Sequence, residues 1–194
     1  MTIADGYHSL PPGKVASVVP YVQMTSRPAW IDGPFPGELT PLNHAPLPDY
    51  RALFRAIGEP WLWFSRLKLS DSDLRARLDQ PTYRVFRFDP ACGILELDRR
   101  TPGEVEIVLF GLPRATTGAG LGRAMMAHAL RLAWTPDITR VWLHTCTLDD
   151  PRALGFYQKM GFSPYARGIE IADDPRLLGH LPESAAPQIP IIRP

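Results

Sequence analysis

Residues 104–134 read EVEIVLFGLPRATTGAGLGRAMMAHALRLAW, and they join an apolar segment, a short glycine-rich turn and a second apolar segment. In the first segment Val105, Ile107 and Leu109 alternate with their neighbours at the two-residue period of a strand. In the second segment apolar residues recur at helical spacing, at Leu121, Met125, Ala129 and Leu132. The stretch therefore predicts a strand, a turn and an amphipathic helix.

The turn carries glycine at three alternate positions, Gly118, Gly120 and Gly122. Glycine lets the backbone approach a ligand closely, and the helix that follows presents unpaired N–H groups and the positive end of its dipole. The turn is therefore predicted to bind an anion, and a phosphate or pyrophosphate is the anion that suits it.

Three kinds of site use such a turn. A nucleotide P-loop needs Lys and then Ser or Thr after its last glycine, whereas Arg123 and Ala124 stand there. A dinucleotide site needs its third glycine at position 123 and an acidic residue at the end of the next strand, whereas Asp137 precedes that strand. These departures exclude the P-loop and disfavour the dinucleotide site. The third kind of site binds acyl-coenzyme A.

The strand, glycine turn and helix resemble the pyrophosphate-binding motif of the GNAT superfamily of N-acyltransferases. The family's pattern is Arg or Gln, two residues, Gly, one residue, and Gly or Ala. It falls here on residues 117–122, with Thr117 at the first position instead of Arg or Gln. A second segment also resembles the family, because an apolar strand over residues 140–147 precedes a helix that Asp150 opens and Gly161 ends. In that segment Asp150 stands where Asn is usual, and the other family positions are filled by Ala153, Tyr157, Gly161 and Phe162.

The resemblance covers about residues 82–165 and implies a GNAT-like acyl-coenzyme A N-acyltransferase fold. This fold is α+β, with a mixed and mostly antiparallel central sheet flanked by helices. The implied reaction is transfer of an acyl group, most often acetyl, from coenzyme A to an amine by direct attack in a ternary complex, with acetyl-coenzyme A as co-substrate and no metal. The implied cofactor-binding residues are Leu112, Thr117, Gly118, Ala119, Gly120, Leu121, Gly122, Arg123, Asp150 and Ala153.

The amine must lose a proton before it attacks, because an ammonium ion has no lone pair, and a carboxylate with a raised pKa is a natural base. The segment EIVLFGL resembles the glutamate-bearing strand of histone-acetyltransferase members, which implies Glu106 as the base, with Glu104 and Glu96 in reserve. The leaving thiolate must be protonated, and the family's equivalent tyrosine implies Tyr157 as the acid. The alternatives are an ion-paired or solvent-facing glutamate and a core tyrosine. At Leu112 the family's strand splays from its neighbour, often at a bulge, to admit the pantetheine.

The remaining pattern predicts a single domain over residues 1–194. A strand over residues 14–24, which Pro20 makes an edge strand or a bulged one, begins a proline-rich segment that runs to residue 48. The other predicted elements are helices at 49–57 and 70–78, strands at 83–88, 93–98 and 104–112, and a final strand at 165–171. The proline-rich tail at 173–194 is expected to wrap the surface or a partner.

Two aromatic segments each have more than one interpretation. The long loop over residues 27–48, with Trp30 and Phe35, is a wall of the substrate site, an interface or packing over the core. The segment PWLWFSR at residues 60–66 either lines an acceptor pocket, with apolar walls and a face for a cation, or belongs to the core.

His144 and Cys146 share one face of their predicted strand. A metal needs more than two ligands, and His128 is the only further candidate nearby in sequence, so no metal site is predicted. A cysteine nucleophile paired with His144 is possible in principle, but direct transfer needs no covalent intermediate. Both residues are assigned to the core or to a pocket lining.

The chain has 21 Lys and Arg against 20 Asp and Glu, so its net charge of +1 predicts neither a nucleic-acid nor a membrane partner. Residues 1–10 lack the pattern of a signal peptide, and the two cysteines do not suggest a disulfide framework, so the cytoplasm is the expected compartment. The expected partner is a small-molecule or peptide amine that the sequence does not identify, and a homodimer is possible.

The departures at Thr117 and Asp150 motivate an alternative from another class, a non-catalytic acyl-coenzyme A sensor or interaction module. A sensor would bind acyl-coenzyme A without turnover. A dinucleotide enzyme, the third hypothesis, would bind a nicotinamide cofactor.

Overall fold

A computed structural model describes residues 4–194, in which seven strands form one sheet and four α-helices pack on it. The strands are β1 (Lys14–Met24), β2 (Glu38–Pro41), β3 (Tyr83–Asp89), β4 (Gly93–Asp98), β5 (Glu104–Gly111), β6 (Arg140–His144) and β7 (Ser163–Asp173). The helices are α1 (Leu47–Gly58), α2 (Asp71–Leu78), α3 (Leu121–Ala133) and α4 (Ala153–Met160). None of the helices in this part of the chain has the length and apolar character needed to cross a membrane.

The strands lie in the order β2-β3-β4-β5-β6-β1-β7, and each neighbouring pair is antiparallel except β5 and β6. The predicted α+β architecture with a mixed, mostly antiparallel sheet is thus confirmed. The predicted bulge in β1 lies between Tyr21 and Val22, but β1 is an interior strand and not an edge strand. The Pro20 carbonyl accepts from the N–H of Thr145, which lies beyond the end of β6. The N–H that proline lacks would point to the same side as this carbonyl. Pro20 is tolerated because strand pairing has already ended on that side.

The loop predicted over residues 27–48 contains a strand that the sequence did not reveal, because β2 pairs with β3. The rest of this segment packs over α3, where the Arg131 guanidinium donates to the carbonyl oxygens of Ile31 and Gly33. Trp30 and Phe35 pack against the same core as α3. Of the three interpretations of this loop, packing over the core is the one observed.

Alternate residues of β3 face two different cores. In β3, Phe86 and Phe88 belong to the core that includes α3 and α4, whereas Tyr83 and Val85 pack with α1 and α2. Burial of each such large apolar side chain contributes on the order of 1.5–3 kcal/mol. The two helical pairs therefore cover opposite faces of the sheet, and they define two sides from which a ligand can approach it.

The parallel strands β5 and β6 diverge soon after they meet. They pair only over residues 104–106 of β5 and 140–142 of β6, after which β5 continues to Gly111. Towards β4, the pairs Glu96–Leu109 and Leu97–Ile107 leave Val108 as an extra residue in β5. Such a bulge bends its strand and increases the local twist. The sheet therefore opens between β5 and β6, as the family resemblance implied.

The tail wraps the surface of the protein itself. Asp174 and Arg176 form a buried ion pair of 2.7 Å, and the guanidinium also donates to the carbonyl of Ile189. Apolar tail residues pack against Leu62, and the Gln188 amide donates to the carbonyl of Pro60 at 2.9 Å. The tail thereby supports the segment that follows α1.

Candidate functional site

A cavity of about 660 Å³ lies where β5 and β6 diverge. Its walls are residues 107–112, the end of β6, the glycine turn, α4, residues 61–66 and Lys68. This volume suits a small-molecule or cofactor site. Residues 61–68 lie on the α1 and α2 face, because Trp63 and Leu67 pack with those helices, whereas the glycine turn and α4 lie on the other face. The gap therefore connects the two sides of the sheet.

The glycine turn forms an open cradle of backbone N–H groups. Gly118 has φ +90° and Gly120 has φ +76°, a region that glycine adopts without strain. A Cβ at either position would meet no atom within 4 Å, so conformation rather than crowding requires glycine. Within residues 4–194, no backbone or side-chain acceptor satisfies the N–H groups of residues 118–122. Together with the positive end of α3, these groups can hold an anion.

Most of the predicted cofactor residues border the cavity. Those that line it are Leu112, Thr117, Gly118, Gly120, Gly122, Arg123, Asp150 and Ala153. Ala119 and Leu121 do not line it, although both belong to the turn whose backbone N–H groups are free. The cavity thus brings together the two sequence segments that were assigned to the cofactor.

Two departures from the family pattern have local partners. The Thr117 hydroxyl donates to the carbonyl of Arg114 at 2.9 Å and so turns back into the preceding turn. Asp150 accepts from the Arg152 guanidinium at 2.6 Å, and this hydrogen bond holds the pKa of the Asp150 carboxyl below its usual value. Neither side chain interrupts the free backbone of the cradle.

Arg123 stands at the edge of the cradle, where the loop before β2 holds it. Its guanidinium carbon lies 5.0 Å from the ring centre of Trp30 and 5.9 Å from that of Phe35. These are cation–π distances, so the aromatic rings fix a positive charge beside the anion cradle. The proline-rich loop therefore holds a positive charge at the edge of the glycine turn.

Tyr157 lies on α4 among the aromatic rings of Phe110, Phe156 and Phe162, and it lines the cavity. Burial above all, with the nearby charge of Asp149, raises the pKa of Tyr157 well above its ordinary value. The hydroxyl therefore stays protonated at neutral pH, and it can donate a proton to a group inside the cavity.

Glu106 is not among the residues that line the cavity, whereas His144 is. The Glu106 Oε1 and His144 Nδ1 atoms lie 3.6 Å apart. The interaction with Glu106 raises the pKa of His144, and the charges of Asp149 and Glu170 raise it further. Partial burial of the ring acts in the opposite direction and lowers this pKa. The Glu106 carboxylate therefore meets the cavity through the imidazole, and its role as the base stays a prediction.

Neither reserve glutamate is free to act as the base. Glu96 is fully buried, accepts from the hydroxyls of Tyr50 and Tyr83, and pairs with the Arg66 guanidinium at 2.6 Å. Glu104 pairs with Arg140 at 3.1 Å, at the closed end of the gap. Both carboxylates therefore have structural partners.

The aromatic residues Trp61, Trp63 and Phe64 line the cavity, as one of the two sequence interpretations held. Trp63 fits only because its spatial neighbours Gly58 and Gly111 have no side chain. A Cβ on Gly58 would lie 2.3 Å from the Trp63 side chain, and a Cβ on Gly111 would lie 2.8 Å from it. The Trp63 indole N–H also donates to Asp149 Oδ1 at 2.9 Å. The aromatic segment is thereby tied to the turn after β6.

Sequence reasoning missed two carboxylates of the lining, Asp149 and Glu170. Asp149 Oδ2 accepts from the Thr145 hydroxyl at 2.6 Å and from the Cys146 N–H at 2.9 Å, so Asp149 orders the turn. The pair of aspartates in LDDPR was a signal, but only Asp150 was assigned a role. Glu170 lies on β7, and no local pattern marks it as a site residue.

Cys146 also lines the cavity, but burial raises the pKa of its thiol, which argues against an activated nucleophile. His128 lies elsewhere, with Nε2 3.3 Å from the carbonyl oxygen of Pro36. Within the described part of the chain, no group of three His, Cys, Asp or Glu residues is arranged to hold a metal ion.

Comparison with known proteins adds independent findings. A model of the acetyltransferase (GNAT) family matches residues 52–162. The chain is 35% identical over 114 residues to the mycothiol acetyltransferase of Kineococcus radiotolerans, which covers 54% of this chain and 35% of that protein. It is 25% identical over 150 residues to the mycothiol acetyltransferase of Jonesia denitrificans, which covers 72% of this chain and 48% of that protein. The chain thus spans less than half the length of either relative.

Solved structures share the fold. A crystal structure from Novosphingobium aromaticivorans, described as an acetyltransferase of the GNAT family, superposes with a TM-score of 0.51 at 15% identity. The match covers 84% of this chain and 67% of that chain. At this identity the similarity concerns the fold alone.

Proposed function

Because the chain belongs to the GNAT acetyltransferase family, we propose that it transfers an acetyl group from acetyl-coenzyme A to a primary amine by direct attack in a ternary complex. The observation that carries the proposal is the free backbone cradle at residues 118–122, which opens into the gap between β5 and β6. A sheet that opens beside an anion cradle suits a cofactor with a pyrophosphate and a long, narrow arm.

On the cofactor side, the backbone of residues 118–123 would bind the pyrophosphate, with Arg123 as a nearby positive charge. The pantetheine arm would pass Leu112 and enter the gap. The thioester would then lie near Tyr157, whose hydroxyl is the proposed acid for the leaving thiolate.

On the acceptor side, the amine would enter between the aromatic segment and β7. The Glu170 carboxylate lines this end, so it can attract an ammonium group. Lys68 also lines the cavity, and its ammonium lies 5.4 Å from the ring centre of Phe64. Glu106 is the proposed source of basicity, next to the cavity and on the acceptor face together with His144.

The placement of these groups supports direct transfer. Tyr157 comes from the α3 and α4 face, whereas His144 and Glu106 come from the other face. An amine and a thioester that enter from opposite sides would meet in the gap, each beside the group that handles its proton. Holding two reactants in this way replaces a bimolecular encounter by a step within one complex.

The first test is a calorimetric titration with acetyl-coenzyme A, with NAD as the control. We expect micromolar binding of acetyl-coenzyme A and none of NAD. Ligand at about a hundred times its dissociation constant should add roughly 2.7 kcal/mol of stability, which a thermal unfolding scan would detect. If acetyl-coenzyme A does not bind, the proposal fails.

The second test is release of free coenzyme A thiol in the presence of primary amines. Turnover that depends on the amine supports the transferase, whereas binding without turnover would favour the sensor. Tyr157→Phe should lower kcat by about 10²-fold or more with little change in acetyl-coenzyme A affinity. Tyr7→Phe, which alters a fully exposed ring, is the matched control. Equal kcat values for the two variants would remove Tyr157 from the role of acid.

A further inference from the structure

His144 occupies the place between the cavity and the carboxylate that the sequence proposed as the base. Its side chain is 43% exposed and lines the cavity, whereas that of Glu106 is 20% exposed and does not line it. The two residues face the same side because Glu106 pairs with Trp142 on β6, and His144 follows Trp142 at the strand period. An ammonium group in the cavity therefore meets the imidazole before it meets the carboxylate.

We propose that His144 is the catalytic residue that takes the proton from the acceptor ammonium, and that Glu106 is a positioning residue that orients the ring and stabilises its charged form. This inference rests on the proposed function, since it concerns the same site and reaction. With Nδ1 directed at Glu106, the Nε2 atom of the neutral ring carries the lone pair that accepts the proton.

The groups around the ring favour its protonated form. Glu106 faces it from β5, Asp149 from the turn after β6 and Glu170 from β7. The Tyr21 ring on β1 lies 5.7 Å from the imidazole centre and covers it with an uncharged surface. Arg66 is a cation of the cavity lining, but it is already paired with Glu96. These carboxylates together raise the pKa of His144, which makes the neutral imidazole a stronger base.

The proton balance closes with these groups. The ammonium gives one proton to His144 Nε2, and the free amine attacks the thioester carbon, so a C–N bond forms. Collapse of the tetrahedral intermediate breaks the C–S bond, and the thiolate receives a proton from the Tyr157 hydroxyl. The nitrogen gives its second proton back to the phenolate, and the imidazolium releases its proton to water. The products are the amide, coenzyme A and one proton in solution.

The pH dependence of kcat/KM separates the imidazole from the carboxylate. The assay would use acetyl-coenzyme A and the fastest of phenethylamine, cadaverine and glycinamide. In the wild-type protein we expect kcat/KM to fall as His144 becomes protonated at low pH. His144→Gln should lose about 10²- to 10⁴-fold and show no such fall. Glu106→Gln should lose less and keep the fall, at a lower pH than in the wild type.

The chain offers a matched control. His44 Nδ1 lies 3.7 Å from Asp79 Oδ1, a similar pair that lies outside the cavity. His44→Gln should therefore leave both the rate and its pH profile unchanged. A variant with the ring removed, His144→Ala, should recover activity when imidazole is added, because a free base can enter the exposed position.

A spectroscopic measurement gives a readout that does not depend on turnover. An NMR titration of the His144 ring in the ligand-free protein should show a pKa above that of His144 in the Glu106→Gln variant. An unchanged pKa would overturn the coupling between the two residues.

Two further results would contradict the inference in different ways. If His144→Gln keeps the low-pH fall of kcat/KM and Glu106→Gln abolishes it, the carboxylate is itself the base. If the wild-type protein releases no thiol with any amine, the proposed function fails and this inference fails with it.

Discussion

The two sides of the gap between β5 and β6 are built in different ways. The cofactor side is one continuous stretch of backbone, residues 118–122, whose free N–H groups need no particular side chains beyond glycine. The acceptor side is assembled from side chains that are far apart in sequence, such as Trp63, Asp149 and Glu170. We therefore expect anion binding to depend on local conformation and acceptor binding to depend on long-range contacts.

The largest expected effect is on the acceptor side, at the buried cluster of Glu96. Glu96→Gln removes the negative partner of Arg66, whose side chain is 6% exposed, and should lower the free energy of unfolding by about 3–5 kcal/mol. Because Arg66 belongs to the aromatic segment, the KM for amines should also rise more than the dissociation constant of acetyl-coenzyme A. Urea unfolding and steady-state kinetics would measure the two effects.

The control for that prediction is Glu183→Gln. Glu183 pairs with Arg193 at the same kind of distance, 2.7 Å, but both side chains are more than half exposed. Its loss should cost less than about 1 kcal/mol. If Glu96→Gln and Glu183→Gln lowered the free energy of unfolding by similar amounts, the acceptor side would not depend on long-range contacts.

The next prediction concerns the cofactor side. Gly120→Ala places a side chain in a left-handed conformation, which costs about 1–2 kcal/mol or forces the turn to change. We expect acetyl-coenzyme A affinity to fall about 10- to 100-fold, because relaxation of the strain turns the N–H groups away. Gly179→Ala is a close control, with φ +73° and equally open surroundings, but it lies in the tail. Equal affinities of the two variants would exclude the cradle as the anion site.

The same contrast explains what the sequence could predict. The strand, the glycine turn, α3 and α4 follow from local periodicity and from Gly161, which ends α4 with φ +106°. The divergence of β5 and β6 was also predicted, through the family resemblance. The strand, the turn and the two helices depend on residues that are close together in the chain, whereas the divergence was implied by the resemblance and not by local pattern.

What the sequence did not predict depends on register and on packing between distant elements. The contact of Glu106 with His144 requires that β5 and β6 be parallel neighbours with Glu106 opposite Trp142. The interior place of β1 requires the full strand order, which local patterns do not determine. Trp63 was recognised as a pocket candidate, but its fit against Gly58 and Gly111 appears only in three dimensions.

A smaller effect is expected from one hydrogen bond across the acceptor side. Trp63→Phe keeps an aromatic wall but leaves Asp149 Oδ1 without its donor, a loss of about 1–2 kcal/mol. The KM for amines should rise about tenfold with no change in acetyl-coenzyme A affinity. Trp134→Phe is the control, because its buried N–H has no partner among the described residues and its removal should be neutral. A changed cofactor affinity in Trp63→Phe would mean that the two sides are not separable.

The smallest effect is the pH dependence of stability that the pair Glu106 and His144 contributes. The pKa of His144 is raised in the folded protein, so its contribution is fully present below the unfolded value of about 6.5 and is lost as pH rises through the folded pKa. Because the ring is 43% exposed, we expect only a few tenths of a kcal/mol. Glu106→Gln should therefore destabilise the protein more at about pH 6 than at about pH 9 in urea unfolding, whereas Glu183→Gln should not. An equal loss at both pH values would mean that the carboxylate does not act on the imidazole before substrates bind, and the acceptor side would then lack the charge coupling that separates it from the cofactor side.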